Sequence, residues 1–358
     1  MYDNLNFAPP HEAHPSSLEE LRELAASKFA VTVEPEVMLD NSQISDGGII
    51  TIPKVGEYPM TKPAFRQLCV RRLHIPDPFA QFIPWDLLSH NIHQLFPKSN
   101  PVNIIRRDVD GAITGFAPTN IEPVSYEDIL TAMLQYEGFD ETYKMSIADE
   151  TVAVDFPWDL FEEGDFRSIE PIKGDVMKSG YRFLHSPGGF SQTVMRFMLW
   201  RLVCLNGLVM PSTFDSVKMR IKPGREVSQA VETFIRKVTN FGPQLTQLAL
   251  PDRIRELDQP MPADFFARTW KGIKKIVDND TDFVDVDIFE VEEEKRKDWI
   301  ANARDYMKGK AESLEMTTVN GWKMVNNLTH RAKEFDQHKC HQMENYAGKL
   351  LINQVPEA

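Results

Sequence analysis

Gly180–Met210 reads GYRFLHSPGGFSQTVMRFMLWRLVCLNGLVM. The pattern predicts strand, turn, strand. Gly188-Gly189 supplies the positive φ values that a tight reversal needs, and the apolar run from Val194 to Val203 is too long for a half-exposed edge, so it belongs to a core. Arg196 and Arg201 interrupt the run, and Cys204-Leu205-Asn206-Gly207 closes it with a turn signal. No recognised catalytic motif follows.

N-terminal to this hairpin, Met1–Pro15 reads as a surface arm and Ser17-Leu18-Glu19-Glu20 as a capping box for a helix ending near Ala30. Strands are expected at Val31–Val33 and Gly47–Pro53. Thr61 caps a helix that faces Phe65, Leu68, Cys69 and Leu73 inward, and a second helix runs from Trp85 to Phe96 behind Pro84. Asp110-Gly111 between Asn103–Arg107 and Ala112–Phe116 is a hairpin signal, Ser125 caps the next helix, and Tyr143–Ala148 and Thr151–Phe156 form another hairpin. Pro157–Gly174, acidic and weakly periodic, is expected as a loop. C-terminal to the central hairpin, Ser216–Lys222 is a strand and Arg225–Thr239 the cleanest helix of the chain. Ala263–Val277, Glu292–Met307 and Val319–Leu351 are helical. The expected fold is α+β: a mainly antiparallel sheet flanked by helices, with a mostly helical C-terminal portion. The expected organisation is an arm and helix over 1–30, an α+β core over 31–250 and a helical region over 251–358.

Four stretches carry a resemblance. RLVCLNG at Arg201–Gly207 is similar to the R-[LI]-V-C-x-N-G signature of a phage- and plasmid-borne family catalogued as domain of unknown function 932. The helix pair within Tyr58–Phe96 and the helix within Val319–Ala332, VNGWKMVNNLTHRA, resemble further segments of that family. Asn103–Leu130 resembles it as well but departs at the turn, where Gly115-Phe116-Ala117 replaces the family's usual run. The resemblance implies a mobile-element context and no particular reaction.

Charge is partitioned along the chain. The whole carries a formal net charge of −13, yet Lys54–Arg107 holds eight Lys and Arg against three Asp and Glu, and Tyr181–Arg253 holds ten against four. Asp108–Asp175 nets −14 and Asp278–Glu315 nets −7. Three widely spaced cysteines, Cys69, Cys204 and Cys340, suit a reducing compartment, and no export signal or membrane span is visible, so a cytoplasmic location is expected, in the host if the chain is phage-encoded.

Signatures for nucleotide loops, zincins, hydrolase elbows and CxxC metal pairs are absent, so no catalytic residue, metal or cofactor is assigned. His338 and His341 share a helix face that Cys340 does not, which reads as a solvated face rather than a zinc site. The acidic run Asp278–Glu294 lacks the glycine and the bidentate glutamate of a calcium loop. Asp285 and Asp287 share a strand face that could hold Mg²⁺ for a nuclease-like reaction, although no lysine or histidine is placed with them. The basic residues are the stronger lead. Lys218, Arg220 and Lys222 alternate with Val217, Met219 and Ile221, and so share one strand face; Arg201 joins them, and Arg71 and Arg72 extend the set. Tyr181, Phe183 and Trp200 nearby are candidates for base stacking. The expectation is a non-enzymatic protein of phage or plasmid DNA metabolism that binds or anneals single strands through this face, with self-association a further possibility. The alternative from another class is an interaction protein that uses its acidic surface on a host or self partner.

Overall fold

The computed structural model describes residues 5–46, 48–135, 144–157, 168–201, 206–209, 216–219, 221–222, 224–239, 250–259, 263–277, 298, 301–302, 305, 320–335 and 337–353. Antiparallel sheets and helices make an α+β fold. The chain divides into two compact units, the first formed by 1–156, 183–195 and 217–238 and the second by 157–182, 196–216 and 239–358.

Along the chain lie β1 (Glu12–Ala13), α1 (Leu18–Ala26), β2 (Val31–Val37), β3 (Gln43–Ile44), β4 (Ile49–Ile52) and β5 (Gly56–Pro59). Then come α2 (Lys62–Gln67), α3 (Asp77–Phe82), α4 (Trp85–Leu95), β6 (Val102–Arg107), β7 (Ile113–Pro118), α5 (Tyr126–Met133), β8 (Lys144–Ala148) and β9 (Val152–Pro157). β10 (Ser168–Ile172), β11 (Asp175–His185), β12 (Thr193–Arg201), β13 (Asn206–Val209) and β14 (Ser216–Met219) follow. Beyond them every named element is a helix: α6 (Val227–Thr239), α7 (Leu250–Leu257), α8 (Ala263–Ile276), α9 (Gly321–Arg331) and α10 (Gln337–Asn353).

Local chemistry starts the helices of the first unit. Ser17, Thr61 and Ser125 each sit in extended backbone and accept a hydrogen bond from the N–H three residues on, at 3.1, 3.3 and 3.0 Å. Glu20 completes its cap by accepting from the Ser16 N–H at 2.8 Å. β6 and β7 reverse at Asp110-Gly111, where Gly111 takes φ +72° and the Arg107 N–H reaches the Ala112 carbonyl at 2.9 Å. β2 joins them in a sheet ordered β2-β6-β7, and β3-β4-β5 form a second meander.

The helices cover these strands with apolar faces. Phe65, Leu68, Leu88, Ile92 and Phe96 pack into one core with Ile50 and Ile52, and each is essentially inaccessible to water. Burying side chains of this size stabilises by roughly 1.5–3 kcal/mol apiece before entropy is counted. His93 ties α4 to β3 by accepting the Ile44 N–H at 3.0 Å, a role that requires a neutral ring. Burial and the neighbouring His90 lower its pKa accordingly.

Arg107 is the largest side chain wholly shut from solvent in this unit. Its nitrogens donate to both carboxylate oxygens of Asp110, to Asp149 at 2.8 Å and to the Pro9 carbonyl at 3.2 Å, so every donor of the guanidinium is used. Burial works against the charge, but the two carboxylates outweigh it and hold the guanidinium pKa above its ordinary value. The pair fastens the Pro9–His11 arm, whose His11 N–H also donates to Asp149 at 2.8 Å.

In the second unit β10 pairs antiparallel with β11, so the acidic stretch expected as a loop contributes a strand over Ser168–Ile172. Its pairing is dictated by the partner strand, since its own periodicity is weak. β13 pairs antiparallel with β12 through Trp200↔Gly207 and Arg201↔Asn206, which places Asn206 and Gly207 in a strand rather than in a turn. α10 packs on β13 and α8, and Trp322 of α9 donates through Nε1 to Asp175 at 2.8 Å. Arg182 and Glu344 form a buried ion pair. The expected helix over Glu292–Met307 lies almost entirely outside the described residues.

Candidate nucleic-acid interface

The central hairpin forms as the sequence implies, with Gly189 at φ +70° in the turn between β11 and β12. The two glycines serve different ends. Gly189 supplies the left-handed conformation, whereas Gly188 lies against Gly115 of β7: a Cβ on Gly115 would stand 2.8 Å from the Gly188 Cα. Gln67, buried at the end of α2, locks this contact. Its amide donates to the Gly188 carbonyl at 2.6 Å and accepts the Phe116 N–H at 2.7 Å.

Immediately after Gln67 the helix widens into a π-turn over Leu68–Arg72, closed by the Leu73 N–H on the Leu68 carbonyl at 3.0 Å. Such turns insert a residue and re-aim the side chains that follow. Here they present Arg71 and Arg72. Arg71 donates to the Gly189 and Phe190 carbonyls at 2.9 and 3.3 Å, and Arg72 donates through Nε to the Phe116 carbonyl at 2.8 Å. Among the described residues neither guanidinium has a carboxylate partner, and the terminal nitrogens of Arg72 have no hydrogen-bond partner.

Both arginines line a cleft of about 410 Å³ together with His74, Asn100, Thr119 and Asn120. Among the described residues no acidic side chain lines it. Partial burial lowers the pKa of both guanidiniums, and neighbouring cations add to it, Arg66 for Arg71 and Arg71 for Arg72. Arginine stays charged regardless, so the cleft holds positive potential that nothing in its walls neutralises. His74 holds a left-handed backbone, φ +56°, at its rim.

The lysine face joins the cleft through one loop. Asn103 donates its side-chain amide to the Pro118 and Ile121 carbonyls, both at 3.4 Å, and the Glu122 N–H donates to the Ile221 carbonyl at 3.2 Å. The loop that carries Thr119 and Asn120 is thereby tied to the segment that carries Lys222. Val217, Met219 and Ile221 are buried while Lys218 and Lys222 are exposed, the alternation expected of one cationic face. Arg220 lies outside the described residues, and for Arg201 only its place at the end of β12, opposite Asn206, is described.

Most other basic and aromatic candidates have structural duties, and the side chain of Trp200 lies outside what is described. Arg66 pairs with Asp77, Arg106 pairs with Glu34 at 2.5 Å and lies over the Tyr58 ring, and Arg107 and Arg182 are buried in ion pairs. Tyr181 and Phe183 are buried, so neither can stack a base. The pair Asp285 and Asp287 and the run Asp278–Glu294 lie outside the described residues, among which no group of three or more His, Cys, Asp or Glu side chains could hold a metal ion. Burial pushes the Cys69 thiol up to about 12, which leaves it inert as a nucleophile. No helix among the described residues is long and apolar enough to cross a membrane.

Of the residues named from the sequence, Arg71 and Arg72 line the cleft, and His74, Asn100, Thr119 and Asn120, which line it with them, were not named from the sequence. The available signal was Arg71-Arg72-Leu73-His74-Ile75-Pro76, a helix end with two cations before a proline stop. Compared with protein-family models, with curated proteins and with solved structures, the chain has no match in any of the three.

Proposed function

We propose that this chain is a non-enzymatic nucleic-acid-binding protein that grips the phosphate backbone of single strands, as a binding or annealing factor of phage or plasmid DNA metabolism would. The observation that carries the reading is the Arg71–Arg72 cleft, two adjacent guanidiniums with no carboxylate partner among the described residues, tied by the 118–122 loop to the segment bearing exposed Lys222. A partly buried cation pair lacking a counter-charge favours an anionic ligand, and a line of cations suits a polymeric one. Arg201 and Arg220 are kept in this reading as further phosphate contacts on the strength of the sequence pattern alone. The mobile-element context rests on the family resemblance of RLVCLNG and its companion segments.

The test is a titration of a labelled oligothymidylate at several salt concentrations. Binding that weakens along a straight log–log line, with a slope near −0.7 for each phosphate contacted, is expected. Absence of binding at low salt would overturn the reading and leave the acidic-surface alternative standing.

A further inference from the structure

Exposed large apolar side chains are concentrated on α3 and the start of α4. Among the described residues, five large hydrophobic side chains are exposed, and Phe79, Phe82 and Leu87 are three of them. Phe82 is 74% exposed and Phe79 46%, in a chain whose other described phenylalanines are mostly buried. They stand one turn apart on α3, at the i, i+3 spacing that places two rings side by side on one face. Pro76, Pro78 and Pro84 bracket this short helix and restrict its backbone, so the rings are presented at little entropic cost.

α3 is fixed to the arginine turn by three contacts. Arg66 of α2 makes a two-pronged pair with Asp77, the Ile75 N–H donates to the Cys69 carbonyl at 2.9 Å, and α3 packs against the π-turn. The Arg66 charge, held at the first turn of α3, is also close enough to depress the pKa of Arg71. Rings and guanidiniums therefore share one neighbourhood of the first unit. A positive cleft and two exposed phenyl side chains on the helix packed against its π-turn match a ligand with alternating anionic and flat apolar parts.

We infer that Phe79 and Phe82 are a stacking platform for unpaired bases of the strand whose phosphates the Arg71–Arg72 cleft holds. The inference rests on the function proposed above and gives it a discriminating element: only a single strand offers free base faces, so the platform selects single strands over duplex. It also supplies the aromatic component that buried Tyr181 and Phe183 cannot.

The experiment compares wild type with F79A/F82A and with the conservative F79Y/F82Y, each checked for an unchanged unfolding midpoint. Three probes are used: an oligothymidylate, a duplex of equal length and inorganic polyphosphate. The alanine variant should lose roughly tenfold or more in oligothymidylate affinity, keep the same salt slope and keep its polyphosphate affinity, while the tyrosine variant restores binding. Unchanged oligothymidylate affinity in the folded alanine variant overturns the platform while leaving the phosphate reading intact; if that variant instead alters self-association, the patch is a protein contact. Failure of wild type to bind either oligothymidylate or polyphosphate would defeat the underlying function and the platform with it.

Discussion

Gly115 and Gly188 approach closely through their backbones, and a side chain is least tolerable at Gly115. Gly115→Ala would set a methyl 2.8 Å from the Gly188 Cα, with the Phe190 ring at 3.3 Å and the Gln67 amide oxygen at 3.5 Å, so the Gly188 backbone itself must shift. A loss of about 1–3 kcal/mol is expected in urea unfolding, together with weakened strand binding, because the displaced turn is the one whose carbonyls orient Arg71. An unchanged midpoint would show that the turn relaxes freely. His185 offers a second residue-scale test. Burial drives its pKa down to about 4, and its neutral ring donates from Nε2 to the Val124 carbonyl at 2.9 Å while Nδ1 accepts from Thr193 at 2.8 Å. The unfolded ring titrates near 6.5, so stability present above that pH is lost as the unfolded chain takes up a proton first, across the window from 6.5 down to 4. Between pH 7 and pH 5 the protein should lose about 2 kcal/mol that a His185→Gln variant does not lose. Equal pH dependence in the two would contradict the assignment.

At the scale of elements, β14 ends at Met219, so of the expected cationic face it carries Lys218, while Lys222 lies beyond the strand. Replacing Lys218, Arg220 and Lys222 with glutamine should leave the fold intact, since Lys218 and Lys222 are exposed over a buried apolar row. The slope of log affinity against log salt should become shallower by about 2, the worth of three phosphate contacts on a single strand. An unchanged slope in the folded variant would remove the face from the binding site. The strand was legible because alternation is a local property, as were the caps at Ser17, Thr61 and Ser125 and the Asp110-Gly111 reversal, where one side chain or one glycine decides the conformation. The π-turn was not. Its extra residue is stabilised by what Arg71 and Arg72 reach on β7 and on the central turn, and no sequence period announces it. β10 was hidden for the same reason, because its pairing is supplied by β11. Asn206-Gly207, a strong turn signal in isolation, is overruled by pairing with Trp200 and Arg201.

Across the molecule, the partition of charge seen in the sequence takes a more specific form. Many arginines of the basic segments are structural, consumed by Asp77, Glu34, Asp110, Asp149 and Glu344, whereas Arg71, Arg72, Lys218 and Lys222 form no ion pair among the described residues. Counting charges along the chain could not separate these groups, because several partners are remote in sequence, Glu34 lying 72 residues from Arg106 and Glu344 lying 162 from Arg182. The cleft was illegible on the same grounds: its walls come from residues near positions 72, 100 and 119, which only the fold brings together. The most direct test of the account is the salt dependence of oligothymidylate binding in wild type and in an Arg72→Gln variant, which keeps a donor for the Phe116 carbonyl while removing the charge. The account predicts tight binding at low salt that falls steeply as salt rises, with a shallower slope and weaker affinity in the variant. Equal affinity and equal slope in the two folded proteins would contradict it.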